Sequence, residues 1–234
     1  MTTPRHGYAL CTVLALLVGG WIRGREARRI GLPRDFRHAK TAMGGLIGAI
    51  VGAKLLMILY VPIDRWLQIL GEMQRLDFDG KTVIGGLTGG YLGVEVAKRI
   101  EGITVSTGDS YAIALPVGHA IGRLGCLWNG CCYGAATDVP WAVVQHGAPR
   151  HPAQLYEALG NLALAGLLFA WRERTRAPGQ LFRLYLVGYA TLRFALDPLR
   201  GDAHLPLGPL TAVQLYCLAV IAVFGTWAWC DQRR

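Results

Sequence analysis

Three short stretches of this 234-residue chain set ionisable side chains among apolar neighbours at helical spacing. In Gly118-His119-Ala-Ile-Gly122-Arg123, His119 and Arg123 stand four apart and share one helix face. In Arg193-Phe-Ala-Leu-Asp197-Pro-Leu-Arg200 the charges fall at i, i+4 and i+7, again one face, and Arg193 and Asp197 can pair. In Arg150-His151-Pro152-Ala-Gln154-Leu-Tyr156-Glu157, His151 and Gln154 project together from a helix start, where Pro152 loses nothing by lacking an N–H. Arginine keeps its charge, and its planar fork binds phosphate oxygens two at a time. Arg123, Arg193 and Arg200, with Asp197 as the one obvious local partner, therefore point to a phosphate site. The same residues have a plainer use, as ion pairs joining helices or as side chains snorkelling to an interface. Interfacial anchoring is the plainer use of the Tyr and His residues.

The six cysteines include one cluster, Cys126-x4-Cys131-Cys132. A zinc site normally shows a C-x2–4-C pair with a second ligand pair at matching spacing. That pattern is missing, so no metal site is expected. Two readings of the cluster stay open: a Cys126–Cys131 disulfide in an oxidising compartment, and small thiols filling a tight bend.

These residues must be held by elements that composition identifies. Apolar residues make up 53% of the chain and charged residues 17%, with a mean hydropathy of +0.33. Soluble domains carry about 25% charge. Thirty-one glycines would weaken a water-soluble helical bundle but suit helix packing in lipid. The class expected is an all-α polytopic membrane protein forming a single domain over residues 1–234.

Seven apolar runs are expected to span: Tyr8–Ile22, Thr41–Val61, Thr82–Ala97, Ser110–Trp128, Leu155–Trp171, Leu181–Leu196 and Leu210–Trp229. The first run is followed by its basic cluster, Arg23 to Arg29, whereas a signal peptide is preceded by one, so a retained helix is expected. Fourteen of the 24 Lys and Arg residues fall on one side of this layout and six on the other. Basic residues accumulate in the cytoplasm, which puts the N-terminus outside and the C-terminus inside. The net charge of +9 then sits mostly against anionic lipid, and no motif supports nucleic-acid binding. Outer loops are expected at Ile63–Lys81 and Asn129–Ala153. One internal echo, G-G-L-x-G-x-x-x-G, begins at Gly44 and again at Gly85; it suits either helix packing or room for a lipid head group.

Together these pieces resemble the bacterial prolipoprotein diacylglyceryl transferase family. The matching residues are Gly7-Tyr8-Ala-Leu10, Gly52-Ala-Lys54, Gly85-Gly86-Leu87, Gly122-Arg123-Leu-Gly125 through Asn129-Gly130 to Gly134, His151-Pro152-x-Gln154-Leu155-Tyr156-Glu157, Arg193-x3-Asp197-x2-Arg200 and Gln214. They occur in the family's order from the first run to the last. The resemblance implies a seven-span enzyme of the bacterial inner membrane, which agrees with the charge count. It implies transfer of diacylglyceryl from phosphatidylglycerol to the lipobox cysteine of a prolipoprotein, with no cofactor. Arg123, Arg193, Asp197 and Arg200 are expected in the chemistry, and His119, one turn before Arg123, and His151, nearer the outer surface, are competing candidates for the base. Tyr8, Gly85, Gly86, Asn129, Gly134, Gln154, Tyr156 and Glu157 fall to lipid binding. Four positions depart from the family's usual pattern. Ile84 stands for a His, Cys126 and Cys131 for Asn and Glu, and Asp197 for Glu. The alternatives are a paralogue with the same lipid donor and another acceptor, a thiol-redox membrane protein built on the cysteine cluster, and an anion transporter.

Overall fold

The computed structural model describes residues 4–33, 35–60, 82–201 and 206–233. The expected outer loop Ile63–Lys81, with Arg65, Arg75 and Lys81, lies outside the described residues, as do Val61 and Arg234. Among the described residues seven long helices form: α1 (Pro4–Arg29), α2 (Phe36–Leu55), α3 (Val83–Glu101), α4 (Ala114–Asn129), α5 (Ala153–Trp171), α6 (Gln180–Leu196) and α7 (Ala212–Gln232). Each of the seven apolar runs falls largely within one of them. Among the described residues four stretches are long and apolar enough to cross a bilayer: His6–Arg29, Phe36–Ile58, Ala153–Trp171 and Ala212–Gln232. Two short antiparallel hairpins, β1 (Val143–Gln145) with β2 (Ala148–Arg150) and β3 (Pro206–Leu207) with β4 (Leu210–Thr211), are additions that hydropathy did not foresee. Strands of two or three residues carry too little alternation to be read.

The chain divides into two compact units. The first comprises Met1–Gly31, Thr107–Asp202 and Val220–Arg234. Its core is α6, whose Leu181, Tyr185, Leu186, Tyr189 and Ala190 are almost fully buried. Glycines let α1 and α4 approach: Gly7 lies against the Trp128 indole, and Gly125 lies under Tyr8 and Cys11. The outer face of α1 keeps Leu10, Val13, Leu14, Leu17 and Trp21 exposed at helical spacing, a continuous apolar stripe fitted to lipid.

One end of this unit is tied by charges and caps. Glu26 pairs with Arg29 at 2.7 Å and with Arg172 at 2.8 Å, joining the ends of α1 and α5. Asp109, in a 3-10 turn, accepts from the backbone N–H of Gly179 at 2.7 Å and of Phe182 at 3.0 Å, so it caps α6 from a distant loop. Burial pushes the Asp109 carboxyl above the usual carboxylate range against those two hydrogen bonds and the nearby Arg183.

The second unit comprises Leu32–Ser106 and Ala203–Ala219. Asp35 caps α2 by accepting from His38 N–H at 2.8 Å, which holds its carboxyl below the usual range. Thr82 caps α3 by accepting from Gly85 N–H at 3.2 Å. The glycine echo now has a structural account. Gly44, Gly48 and Gly52 of α2 face Gly93, Gly89 and Gly85 of α3, and a Cβ on any of the six would strike the opposite chain. The two G-G-L-x-G-x-x-x-G segments are thus two halves of one antiparallel backbone contact.

Candidate active site

Glu157 organises the site. It lies near the start of α5, is 1% exposed, and shares its carboxylate between two helices' worth of arginine. Arg123 of α4 meets one oxygen through Nε, and Arg200, just past α6, donates Nη1 to the other at 2.9 Å. The Arg123 Nε also donates to His119 Nε2 at 3.2 Å, one turn back on α4. The two terminal nitrogens of Arg123 make no hydrogen bond among the described residues. Arg193 and Asp197 pair at 2.7 Å, as their spacing predicts. The cluster therefore gathers three guanidinium groups and two carboxylates in a buried setting.

Two further polar groups face this cluster, and neither was singled out from the sequence. Tyr189 of α6 has its ring 5.3 Å from that of His119. Its buried hydroxyl has no hydrogen-bond partner among the described residues. Asn161, one turn beyond Glu157, stands beside His119 and donates to the Glu157 carbonyl at 2.8 Å. An orphaned buried hydroxyl beside arginines is costly unless something else fills its valence. The only signal for either residue was a polar side chain inside an apolar helix. Glu157 itself was expected among the lipid-binding residues; the structure gives it the role of shared counter-ion. Its i+43 partner Arg200 is beyond any local spacing rule.

Backbone ladders position Arg200. Gly134 bridges to Arg200, Ala135 N–H donates to Leu199 O at 2.9 Å, and Gly201 N–H donates to Tyr133 O at 3.0 Å. On the other side His151 N–H donates to Ala135 O at 3.0 Å. Gly134 is squeezed between the carbonyls of His151 and Leu199, and a Cβ there would displace both. Gly134 is thus a close-approach glycine that carries the strand on which Arg200 hangs. Arg150 reinforces it, donating to Gly134 O at 3.2 Å with its guanidinium 4.6 Å above the Tyr133 ring.

The cysteine loop lies at the same end of the unit. Helix α4 stops at Gly130 in the left-handed region (φ 69), and Cys131 N–H turns back to Cys126 O at 3.1 Å. Cys132 also takes a left-handed φ of 57, which a residue with a Cβ adopts only when its surroundings impose it. Gln154 of α5 fastens the loop, its Nε2 donating to Cys131 O at 2.8 Å and to Gln145 Oε1 at 3.2 Å. The Sγ atoms of Cys126, Cys131 and Cys132 lie within 4.8 Å of one another, and all three residues are half-buried. Hydrogen bonds from Cys126 and Cys131, and then Arg123 and Arg200 nearby, hold the Cys132 thiol below the usual thiol range. Tyr8 of α1 lies over Gly125 and beside the three cysteines, and the Asn129 side chain reaches Cys131.

His151 belongs to a different group. Its Nδ1 is 3.4 Å from the Tyr156 hydroxyl, which accepts from Trp141 Nε1 at 2.6 Å. Of the two histidines expected in the chemistry, the structure brings His119 to the arginines and His151 to this aromatic pair. Gly85 and Gly86 lie in the second unit, where Gly85 is pressed on Gly52 and Gly86 has only ordinary contacts with Ala49 and Ala53.

The arrangement sets a buried cluster of guanidinium groups beside three thiols, and sequence comparison gives it a family. The family model described as prolipoprotein diacylglyceryl transferase matches residues 2–230. A Geobacter sulfurreducens protein named phosphatidylglycerol–prolipoprotein diacylglyceryl transferase is 34% identical over 97% of this chain and 91% of its own length. Relatives of the same name from Rhodospirillum rubrum and Clostridioides difficile are 34% and 29% identical, over 92% and 93% of this chain and 83% and 86% of theirs. The match runs from the first helix to the last and takes in every residue of the arginine cluster, so the chain belongs to the prolipoprotein diacylglyceryl transferase family.

Proposed function

We propose that this protein transfers the diacylglyceryl group of phosphatidylglycerol to the lipobox cysteine thiol of prolipoproteins, as a seven-span protein of the bacterial inner membrane with its N-terminus outside. The observation that carries this reading is the Arg123–Glu157–Arg200 bridge, where two guanidinium groups share one buried carboxylate and Arg123 keeps its terminal nitrogens available. The relatives' names supply donor and acceptor. The basic residues gathered at the far ends of α1 and α5 support the orientation.

In the reaction, the acceptor sulphur attacks the glycerol carbon next to the phosphodiester. The C–O bond to phosphate breaks, and glycerol phosphate leaves with the bonding pair. Charge grows on the leaving oxygen, and preorganised donors there lower the barrier without reorganising at the moment of reaction. Arg123 and Arg193 take that role, Arg200 holds the phosphate from the outer entrance, and Asp197 orients Arg193. Tyr189 adds a neutral donor. The Nε2 lone pair of His119 is already engaged by Arg123 Nε. His119 therefore acts as a base only where Arg123 Nε gives up that hydrogen bond and stays on Glu157, its terminal nitrogens holding the phosphate. His151 remains the outer candidate, near the start of α5. Within the first unit Tyr8, Asn129 and Tyr156 line the approach of lipid, and Gly134 and Gln154 hold backbone in place; within the second unit Gly85 holds the α2–α3 contact.

The deciding experiment is complementation of a transferase-depleted bacterium, with mass spectrometry of a lipobox peptide incubated with purified protein and phosphatidylglycerol. Growth and a peptide heavier by one diacylglyceryl group are expected. An unmodified peptide, under conditions where another family member modifies it, would refute the reading.

A further inference from the structure

Cys126, Cys131 and Cys132 are three thiols that the chemistry above does not use, and the fold gathers them by means that sequence spacing hides. The C-x4-C-C pattern lacks the paired spacing of zinc domains. The chain reversal at Gly130 nevertheless returns Cys131 and Cys132 to the last turn of α4, where Cys126 stands. Their sulphurs are mutually within 4.8 Å. Around a tetrahedral zinc with Zn–S bonds of about 2.3 Å, ligand sulphurs stand about 3.8 Å apart. A movement of about 1 Å closes the trio on one ion.

We propose that Cys126, Cys131 and Cys132 bind one zinc ion whose open fourth position takes the acceptor thiol. Three protein ligands with one open position is the pattern of catalytic zinc, and closed four-ligand sites are structural. An all-sulphur set selects a thiophilic ion, and zinc brings no redox change that the transfer would have to balance. Three thiolates and Zn²⁺ carry one net negative charge, and the Arg123 and Arg200 guanidinium groups lie near Cys132. The three residues are half-buried, so the ion is shielded from bulk water yet reachable by a substrate sulphur. Gln154 and the Cys131–Cys126 backbone bond fix the loop before any ion arrives. The ligands sit on a preformed turn.

The chemistry balances. The acceptor R–SH loses its proton on joining the zinc, because a coordinated thiol is deprotonated outright. Its sulphur then forms the C–S bond with the glycerol carbon. The C–O bond to phosphate breaks, its electron pair leaves on glycerol phosphate, and the released proton ends there. Zinc keeps its oxidation state. The fourth-ligand role rests on the transfer reading above, whereas the metal site rests on the three thiols alone.

The test uses the full chain, reduced, in phosphatidylglycerol-containing nanodiscs. Metal analysis after zinc loading is expected to give one ion per chain. Cobalt(II) in its place is expected to show thiolate charge transfer and a tetrahedral visible spectrum. Cys131→Ser and Cys132→Ser are each expected to weaken zinc binding at least ~10-fold, while Cys230→Ser, exposed on α7, leaves it unchanged. Adding a lipobox peptide should strengthen the cobalt charge-transfer band, and the same peptide with Ser for its Cys should not. Chelation should suppress transfer at least ~100-fold, with zinc restoring it. The cobalt and chelation measurements need no variant, so a misfolding Cys→Ser protein does not decide the matter. Absence of bound metal, or a protein 2 Da lighter through a disulfide even when reduced, would overturn the site. Undiminished transfer after complete metal removal would overturn the role of the ion. A zinc-loaded protein that never modifies the peptide would refute the transfer reading and leave the metal site standing.

Discussion

Glu157→Gln is the sharpest probe of the charge cluster, because Gln keeps the shape and removes only the charge that Arg123 and Arg200 share. Glu157 is 1% exposed, and the two arginine side chains facing it are 8% and 7% exposed. Removing one partner of a buried ion pair costs about 3–5 kcal/mol, since the remaining charge keeps its desolvation penalty. Here two guanidinium groups lose the same anion, so the upper half of that range is expected. For a chain of this size about 1 kcal/mol moves the melting temperature by roughly 2–4 °C, which gives a fall of about 8–20 °C. The measurement is thermal unfolding in nanodiscs. Adding Arg200→Gln to Glu157→Gln removes one of the stranded cations and is expected to recover part of the loss, a coupling that independent sites do not show. Exchanging neutral phosphatidylcholine for phosphatidylglycerol is expected to raise the melting temperature of Glu157→Gln more than that of the wild type, as a phosphate stands in for the lost carboxylate. A Glu157→Gln protein that melts with the wild type, or a double variant that loses the sum of the single losses, would refute this account of the cluster.

Arg123→Ala is expected to lower transfer by about 10²–10³ in proteoliposomes while insertion is retained, and Arg123→Lys to recover little; near wild-type transfer in Arg123→Ala would sink the assignment. His119→Gln and His151→Gln, compared by pH–rate profiles on a short lipobox peptide, are expected to separate the base from the bystander, the acid limb vanishing in only one of them. Gly89→Ala is expected to destabilise the α2–α3 contact by about 1–3 kcal/mol or more, because its Cβ meets Gly48 and Gly52 backbone; Gly86→Ala, with Ala49 and Ala53 at 3.6 Å, is expected to be mild. Asp109 binds its proton more tightly folded than unfolded, so its ionisation costs stability above its raised pKa. The stability of wild type relative to Asp109→Asn is therefore expected to rise as pH falls from 7 toward 4, and a flat or falling difference in denaturation would contradict this.

The sequence carried the apolar runs, the i, i+4 pairs and the glycine echo, because each is a local periodicity. Arg193–Asp197 and His119–Arg123 are such pairs, and both contacts form. The echo gave the glycines their spacing but not their partner; that Gly48 meets Gly89 follows only once α2 and α3 are antiparallel. The bridge at Glu157 was not legible, because its arginines come from a preceding helix and from a loop forty-three residues later. Nor was the thiol trio. Its closure depends on left-handed backbone at Gly130 and Cys132 and on a tie from Gln154, and Cys-Cys gives no hint of a positive φ at its second residue.

The poor rescue expected of Arg123→Lys rests on the division of labour within Arg123. Its Nε is spent on Glu157 and His119, which fixes the plane of the guanidinium and the helix face that carries it. Its two terminal nitrogens lie in the same plane, at the other edge of the guanidinium, and make no hydrogen bond among the described residues. A lysine ammonium offers one point of charge, and held by Glu157 it would have no second face to present. The same geometry gives the carboxylate two duties. It makes two buried guanidinium groups tolerable in an apolar surrounding before lipid arrives, as Asp197 does for Arg193, where each uncompensated charge would cost about 2.5–3.5 kcal/mol or more. Once a phosphodiester is bound, three cations face two carboxylates and one phosphate, and the cluster is neutral. On the proposed function, a site built this way is expected to bind a monoanionic head group in preference to a zwitterionic one, and equal binding of phosphatidylglycerol and phosphatidylcholine would contradict it.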